Sequence, residues 1–382
     1  MEYIREHDRE QVAERISPLE FNLQWEESLK RVTEGTGQWF LEHKKFIQWR
    51  DEIGKILWCP GIPGAGKTVL ASIVIHHLKS YFSEDNIATV FTFCKYNAQS
   101  KQTASALISS LLKQLIQHRL PKSKKACLLW KTCLSSKIPL LDADIQEALK
   151  SELETYSRVF IVVDGLDECE DTDGTRARFL DTLFSLPSCV TLMITARPGI
   201  QAIEEQFCKA TRLDIQAQEN DLAKFVNTCL LERFRLSAII QNVPGLSKTI
   251  VETVSKHVEG MFLLAGLILD ELETKTTATG VRHALKTLPR SADEYYQKIW
   301  QKITMRQDDG AKLAAQIFSW VTYACEPLSL EQLQTALSIK PGMTCLTPED
   351  MPPKEIITSL CAGLIAVAEN KSCTVVSFVR IF

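Results

Sequence analysis

Apolar residues follow two different patterns along the chain. Within residues 103–117, leucine and isoleucine recur at the three- and four-residue spacing of a buried helix face. Around that helix, between about residues 55 and 216, short β-branched runs alternate with helical stretches. The runs are Ile56–Cys59, Ile87–Cys94, Val159–Val163, Val190–Thr195 and Thr211–Ile215. Strands that alternate with helices predict an α/β fold, with a mostly parallel sheet covered by helices on both faces.

Helical patterns replace the strand patterns after residue 219. The predicted helices cover 221–233, 247–258, 261–273, 281–288, 293–305, 311–324, 329–337 and 354–361, and strand-like runs follow at 363–368 and 373–379. The polar residues 369–372 between these runs predict a hairpin, and three helices with a hairpin predict a winged helix. We therefore expect a helical lead-in over 1–50, an α/β domain over 51–217, a helical domain over 218–306 and a winged-helix domain over 307–382.

Composition narrows the class of protein. A chain of 382 residues with 45% hydrophobic and 24% charged residues is long enough for two or three globular domains. The net charge of -3 does not suggest a nucleic-acid-binding surface. The twelve cysteines show no metal-ligand spacing, and the longest apolar stretch, Met261–Leu269, is shorter than the roughly 20 residues of a membrane helix. The first eight residues are too charged to begin a signal peptide, so we predict a cytoplasmic protein with reduced thiols.

One glycine-rich segment carries the candidate chemistry. Residues 61–68, GIPGAGKT, fit the pattern G-x-x-x-x-G-K-[ST] at every fixed position, after an apolar run and before a helical one. Glycines let the backbone turn its N–H groups toward phosphate oxygens, and the helix that follows adds the positive end of its dipole. The predicted nucleotide-binding residues are Gly61, Ile62, Pro63, Gly64, Ala65, Gly66, Lys67, Thr68 and Val69. We expect Lys67 to reach the β- and γ-phosphates and the Thr68 hydroxyl to be a magnesium ligand.

A second motif supplies acidic side chains. The apolar run 159–163 predicts a buried strand, which we expect to neighbour the strand before the glycine-rich loop and to place Asp164 beside that loop. Asp164 is the second predicted magnesium ligand. Asp167 and Glu168 are the residues predicted to orient or deprotonate an attacking water. The alternative is that these acids cap the next helix, although residues 171–173 could cap it instead.

Three further features have both a functional and an ordinary interpretation. Thr195 and Arg197 follow the strand pattern 190–194 and could sense a γ-phosphate, or Arg197 could be a surface charge. Neighbouring His76 and His77 point about 100° apart on a helix, so one is expected to pack and the other to be solvated rather than to bind a metal together. Trp39, Trp49 and Trp58 could stack a nucleobase, but tryptophans at such positions are more often core residues.

These motifs together resemble the NACHT family, within the STAND class of signal-transducing P-loop ATPases, and most of all the fungal NACHT proteins that often precede ankyrin or other repeats. The resemblance spans roughly residues 35–379. It rests on Gly35–Phe40, the glycine-rich Walker A loop, the Asp-Gly-x-Asp-Glu form of the Walker B motif and Thr195–Pro198. The helical matches are Glu259–Ala265, Phe318–Ala324 and Pro327–Leu330.

The resemblance implies a regulatory switch. In such proteins a diphosphate holds a closed form, and its exchange for ATP or GTP with Mg²⁺ opens the protein, which then oligomerises and signals. Family members usually carry a histidine after the last strand of the winged helix, where this chain has Arg380 near its end at Phe382. This difference leads to the hypothesis that the sequence is a truncated or minimal gene product.

Three functions remain open from the sequence alone. The first is a slow nucleoside triphosphatase that acts as a switch and forms homo-oligomers on activation. The second is a P-loop enzyme with steady turnover, and the third is a nonhydrolysing scaffold whose nucleotide only stabilises the fold. The absence of an Asn-Lys-x-Asp guanine motif favours ATP over GTP. The residues give no indication of the upstream signal, the protein partners or the oligomer size.

Overall fold

A computed structural model of the chain describes residues 2–84, 86–135, 140–169, 173–289, 291–305, 309–324, 328–339, 347–360, 365–370 and 373–378. The chain divides into two compact units. The first comprises residues 1–228 with 260–262, and the second comprises 229–259 with 263–382. The division into four segments made from the sequence stays a prediction.

The first unit is built on a parallel sheet. Its strands are β1 (Ile56–Pro60), β2 (Ile87–Phe93), β3 (Arg158–Asp164), β4 (Val190–Ala196) and β5 (Thr211–Arg212), in the order β2-β3-β4-β1-β5. Every residue of β3 and β4 is buried, as expected for strands covered by helices on both faces. The alternating α/β pattern is therefore confirmed. The last predicted strand, Thr211–Ile215, is shorter than expected, because only Thr211–Arg212 forms a strand and Ile215 makes an isolated bridge with Gly61.

The strand order corrects one expectation. The strand that carries Asp164 does not neighbour the strand before the glycine-rich loop, because β4 lies between β3 and β1. Hydrophobic patterning identifies strands but gives no information about which strands pair. The consequence is local, since the end of β4 brings Thr195 between the loop and Asp164.

Helices surround the sheet in the first unit. Aromatic side chains of the lead-in belong to its core, and the indole of Trp49 donates a hydrogen bond to the carbonyl of Leu192 on β4 at 2.8 Å. The helices are α1 (Glu2–Ile16), α2 (Asn22–Lys30), α3 (Gln38–Leu41), α4 (Lys44–Asp51), α5 (Lys67–Tyr81), α6 (Ala104–His118), α7 (Lys124–Ser135), α8 (Asp142–Leu153), α9 (Thr175–Phe184), α10 (Gln201–Gln206) and α11 (Glu219–Glu232), the last of which runs into the second unit. The apolar stripe predicted for 103–117 is the buried face of α6.

The second unit is helical and ends in a hairpin. Its helices are α12 (Phe234–Gln241), α13 (Leu246–His257), α14 (Phe262–Glu273), α15 (Ala278–Lys286), α16 (Ala292–Thr304), α17 (Asp309–Tyr323), α18 (Leu330–Ser338) and α19 (Lys354–Leu360). Strands β6 (Ile365–Asn370) and β7 (Cys373–Phe378) pair antiparallel. Helix α12 was not predicted. The three helices with a hairpin are present as expected, and no helix within the described ranges is both long and apolar enough to cross a membrane.

Candidate nucleotide-binding site

The loop between β1 and α5 has a conformation that only its glycines allow. Gly64 and Gly66 have φ angles of +77° and +88°. A Cβ atom on Gly61 would lie 2.9 Å from the carbonyl oxygen of Ile215, so a side chain there would clash with backbone. These observations explain why the pattern needs glycine at both of its fixed glycine positions, 61 and 66.

Helix α5 begins directly at this loop. Its N-cap residue is Gly66, which has no side chain to satisfy the N–H groups of the first turn. The first four N–H groups of a helix have no partner inside the helix, and together with the dipole they favour an anion. Val69 in this turn is half-buried, Ala65 is buried, and Ile62 and Pro63 are exposed. The backbone around residues 64–68 is therefore suited to phosphate oxygens.

Lys67 lies against the loop itself. Its ammonium group donates hydrogen bonds to the carbonyl oxygens of Gly61 at 2.7 Å and Ile62 at 3.3 Å. Burial lowers the pKa of Lys67, while the carboxylates of Asp167 and Asp164 act in the opposite direction. The ammonium group therefore lies close to the loop, where it could contact a bound phosphate.

Asp164 is the central acid of the site. It is buried at the end of β3, where its two carboxylate oxygens accept hydrogen bonds from two hydroxyl groups, those of Thr68 and Thr195, each at 2.7 Å. Thr195 in turn accepts a hydrogen bond from the backbone N–H of Gly165 at 3.0 Å. Both residues predicted to bind magnesium are therefore in direct contact, and both offer the oxygen ligands that Mg²⁺ prefers.

Asp167 and Arg197 form an ion pair at the same edge of the sheet. The guanidinium Nε of Arg197 lies 3.0 Å from Oδ2 of Asp167, and the backbone N–H of Arg197 donates to Oδ1 at 3.1 Å. Residues predicted from two separate motifs are thus joined. Neither motif alone indicates this pairing, because Asp167 lies in the loop after β3 and Arg197 lies in the loop after β4.

Glu168 faces a third loop, which the sequence reasoning missed. Its Oε2 accepts a hydrogen bond from the backbone N–H of Tyr96 at 3.2 Å, and its carbonyl oxygen accepts one from the side-chain amide of Gln99 at 2.9 Å. Tyr96 and Gln99 follow β2. The available signal was their place after a predicted parallel strand, because the carboxyl ends of parallel strands meet at one edge.

A different acid, Asp173, contacts the first residue of the helix that follows the Walker B motif. Asp173 accepts hydrogen bonds from the backbone N–H and the hydroxyl of Thr175, the first residue of α9, both at 2.8 Å. Asp171 and Thr172 lie outside the described residues. Asp167 and Glu168 have the other partners given above, so the cap of α9 does not require them.

The segment upstream of the loop is attached to α11. The backbone N–H of Gly37 donates to the buried carboxylate of Asp221 at 2.7 Å, and Lys224 donates to the carbonyl of Gly35 at 2.6 Å. A Cβ atom on Gly37 would lie 2.8 Å from Cδ1 of Ile73 on α5, and a Cβ atom on Gly66 would lie 3.2 Å from the ring of Phe262. Stretch 35–37 therefore packs against α5 and α11, and stretch 260–262 packs against the nucleotide loop; both belong to the NACHT resemblance.

The remaining candidates have ordinary structural roles. Trp49 and Trp58 are core residues, and Trp58 stacks on Phe207 with ring centroids 5.0 Å apart. Trp39 is half-buried and packs edge-on against Phe40. His76 is exposed and His77 is half-buried, as their angular separation predicted.

The described residues also include histidine, cysteine and acidic side chains, the donor types of metal sites. Within the described part of the chain, no group of three or more histidine, cysteine or acidic residues could hold a metal ion. The cysteines between residues 59 and 229 are free thiols. Arg380, which could take the place of the phosphate-contacting histidine, lies outside the described residues.

Comparison with known proteins supports the sequence resemblance. Residues 35–197 match the model of the nephrocystin 3 N-terminal family. The chain is 26% identical over 348 residues to vegetative incompatibility protein HET-E-1 of Podospora anserina, a fungal NACHT protein. The resemblance to fungal NACHT proteins is confirmed. The match covers 87% of this chain but spans only 25% of HET-E-1.

The second family match concerns the end of the chain. Residues 302–381 match the model of the GPI inositol-deacylase winged helix domain, in agreement with helices α17–α19 and the hairpin. The chain therefore combines a NACHT-like P-loop NTPase region with a winged helix.

Solved structures that are similar to the chain have low sequence identity and low TM-scores. They include Orc1 of Aeropyrum pernix in complex with DNA, at 15% identity and a TM-score of 0.37, covering 92% of this chain and 88% of that one. The Drosophila ORC bound to DNA has 16% identity and a TM-score of 0.36, with coverage of 86% and 88%. DNA is bound by those proteins, and similarity at this level carries no inference about DNA binding here. That this chain does not bind nucleic acid stays a prediction.

Proposed function

We propose that the chain binds a nucleoside triphosphate with Mg²⁺ at residues 61–69 and uses exchange between diphosphate and triphosphate as a regulatory switch. One observation carries this proposal. The Walker A hydroxyl of Thr68, the Walker B carboxylate of Asp164 and the hydroxyl of Thr195 form one hydrogen-bonded group beside the glycine-rich loop. A loop that only turned the chain would not need a buried carboxylate held against it.

The residues present fit a magnesium nucleotide. The N–H groups of the first turn of α5 would hold phosphate oxygens, and Lys67 would leave the carbonyls of Gly61 and Ile62 to contact the β- and γ-phosphates. Thr68 and Asp164 would hold Mg²⁺, which when bound neutralises phosphate charge. Asp167, Glu168 and Arg197 are the candidates for water orientation and for contact with the terminal phosphate.

A switch needs two arrangements that a γ-phosphate distinguishes. Stretch 35–37 contacts α5 and is hydrogen-bonded to α11, while stretch 260–262 contacts the nucleotide loop and continues into α14. Both α11 and α14 extend into the second unit. A nucleotide that contacts these stretches differently with and without its γ-phosphate would shift the balance between two arrangements. We propose that the triphosphate form oligomerises and signals, with hydrolysis as the slow reset.

The nucleotide itself is the first quantity to measure. The purified chain is denatured, and any released nucleotide is identified by chromatography, with Lys67→Ala and the exposed Lys209→Ala as matched lysine variants. We expect stoichiometric ADP or GDP from the wild type and from Lys209→Ala, and none from Lys67→Ala. If the three proteins release equal amounts, or if the wild type neither carries nucleotide nor binds added nucleotide, the proposal is wrong.

Turnover separates the switch from the other two functions. A switch should hydrolyse below about one nucleotide per second, under the range of about 1–1000 per second typical of enzymes. Steady turnover in that range would indicate a conventional P-loop enzyme. A scaffold would show no hydrolysis, and Lys67→Ala would lower its thermal stability without changing its association state.

A further inference from the structure

The two acids of the Walker B loop have different partners. One carboxylate oxygen of Asp167 accepts a hydrogen bond from the backbone N–H of Arg197, and the other forms an ion pair with the Arg197 guanidinium. Glu168 instead contacts the loop after β2 through Tyr96 and Gln99. Asp167 and Glu168 are adjacent in sequence but contact two different loops. These different contacts indicate different roles.

The exposure of the ion pair is unequal. The Asp167 side chain is 5% exposed, whereas the Arg197 side chain is 31% exposed. Burying a carboxylate costs free energy unless a partner compensates its charge, so the folded protein is more stable when Asp167 is paired with a cation. The guanidinium, in contrast, can still reach an anion that arrives from solvent, because part of it is accessible.

We propose that Asp167 is a positioning residue that holds Arg197 for recognition of the terminal phosphate, and that Glu168 orients the attacking water. This inference rests on the proposed nucleotide binding. When a triphosphate binds, the guanidinium of Arg197 either leaves Asp167 for the γ-phosphate or contacts both groups. A diphosphate has no γ-phosphate and cannot make this contact. Preference for triphosphate over diphosphate then depends on Asp167 and Arg197 as a pair.

A double-mutant cycle tests the pairing in the full chain. Fluorescent mant-ADP and mant-ATPγS are titrated with Mg²⁺ into the wild type, Asp167→Asn, Arg197→Gln and the double variant, and the ratio of the two dissociation constants is compared. The guanine analogues are used if GDP co-purifies. Arg197→Gln is expected to lower the triphosphate preference about tenfold, the size of one charge-assisted hydrogen bond. Asp167→Asn should lower it by a similar factor, and the double variant should be no worse than Arg197→Gln.

Single-turnover hydrolysis provides the matched control. Glu168→Gln should slow hydrolysis while leaving the triphosphate preference unchanged. The inference is overturned if Asp167→Asn slows hydrolysis without altering the preference, if the two substitutions act additively, or if Arg197→Gln leaves the preference intact. The last outcome decides the matter even if Asp167→Asn does not fold.

The failure of this inference is distinguishable from failure of the proposed function. If the wild type binds neither the adenine nor the guanine analogues, nucleotide binding itself is wrong. If the wild type binds them and Lys67→Ala does not, but the cycle is additive, only the assignment of Asp167 is wrong. The exposed Asp181→Asn serves as a control for removal of a carboxylate from the same unit.

Discussion

The two ends of β3 carry opposite charges in similar surroundings. The strand begins with buried Arg158 and ends with buried Asp164, and β4 places one buried threonine beside each of them. Thr191 accepts a hydrogen bond from the backbone N–H of Gly54 at 3.3 Å, and Thr195 accepts one from that of Gly165 at 3.0 Å. The same two strands therefore build a charged site at both edges of the sheet.

The partners of the two charges differ in kind. At the amino end, Arg158 donates to the carbonyl oxygens of Trp49 and Glu52, where α4 ends, and lies over the ring of Phe160. At the carboxyl end, Asp164 accepts from two side-chain hydroxyls, and a hydroxyl can turn toward a metal ion or a water. The amino end is thus suited to hold the fold, and the carboxyl end is suited to bind and release a ligand.

Removal of Arg158 should have the largest effect on stability. Arg158→Ala leaves the buried carbonyl of Trp49 and the partly buried carbonyl of Glu52 without this donor and opens a space beside Phe160, so we expect the free energy of unfolding to fall by about 3 kcal/mol. Urea unfolding of the variant checks this, with the exposed Arg212→Ala as the matched control. Unchanged stability would mean that the amino end is not structural.

Substitution of Asp164 should show the reverse behaviour. Asp164→Asn keeps the shape but removes the charge, so we expect the Mg²⁺-dependent part of nucleotide affinity to fall by about tenfold or more, with little loss of stability. Titration of nucleotide with and without Mg²⁺ measures the effect. The exposed Asp181→Asn should match the wild type, and an Asp164→Asn variant with full magnesium dependence would contradict the assignment.

The sequence predicts the elements of this comparison better than their contacts. The apolar runs of β3 and β4 are continuous because both faces are covered, which made them recognisable. The charge of Arg158 at the start of β3 gave no signal, because its acceptors are backbone carbonyls of α4, distant along the chain. Strand order escaped prediction for the same reason: pairing depends on tertiary packing and not on periodicity.

The candidate site divides in the same way. Residues 61–68 are predictable because the loop's geometry demands particular residue types at fixed spacing. The pairing of Asp167 with Arg197 and the contact of Glu168 with Tyr96 join segments that are distant in sequence. A single sequence specifies which residues are available at an edge, while the fold decides which of them meet.

The two threonines of β4 offer a matched pair of smaller substitutions. Thr195→Val removes a hydroxyl from Asp164, so we expect magnesium-dependent nucleotide affinity to fall about five- to tenfold, the range of one net hydrogen bond. Thr191→Val should lower the free energy of unfolding by about 1 kcal/mol and leave nucleotide affinity unchanged. Both variants are compared by urea unfolding and by nucleotide titration. Equal effects of the two on nucleotide affinity would remove the distinction between the ends.

The smallest expected effect is a pH dependence at the amino end. His77 on α5 packs against Phe46 of α4, and its Nε2 is buried with no hydrogen-bond partner among the described residues. Burial lowers the pKa of His77, and the positive charge of Arg50 and neighbouring His76 act in the same direction. The folded protein therefore binds this proton less readily than the unfolded chain does.

The sign of the pH effect follows from this difference. Above the ordinary histidine pKa of about 6.5 the imidazole is neutral in both states, and His77 adds no pH dependence. As the pH falls below that value the unfolded chain takes up the proton first, so stability decreases. Urea unfolding at pH 7.5 and 5.5 should show a smaller decrease for His77→Gln than for the wild type or the exposed His76→Gln. Nucleotide affinity per folded molecule should be the same in all three proteins at each pH, because His77 belongs to the end of the sheet that holds the fold. A change of affinity specific to His77→Gln would show that the two ends are coupled through α5.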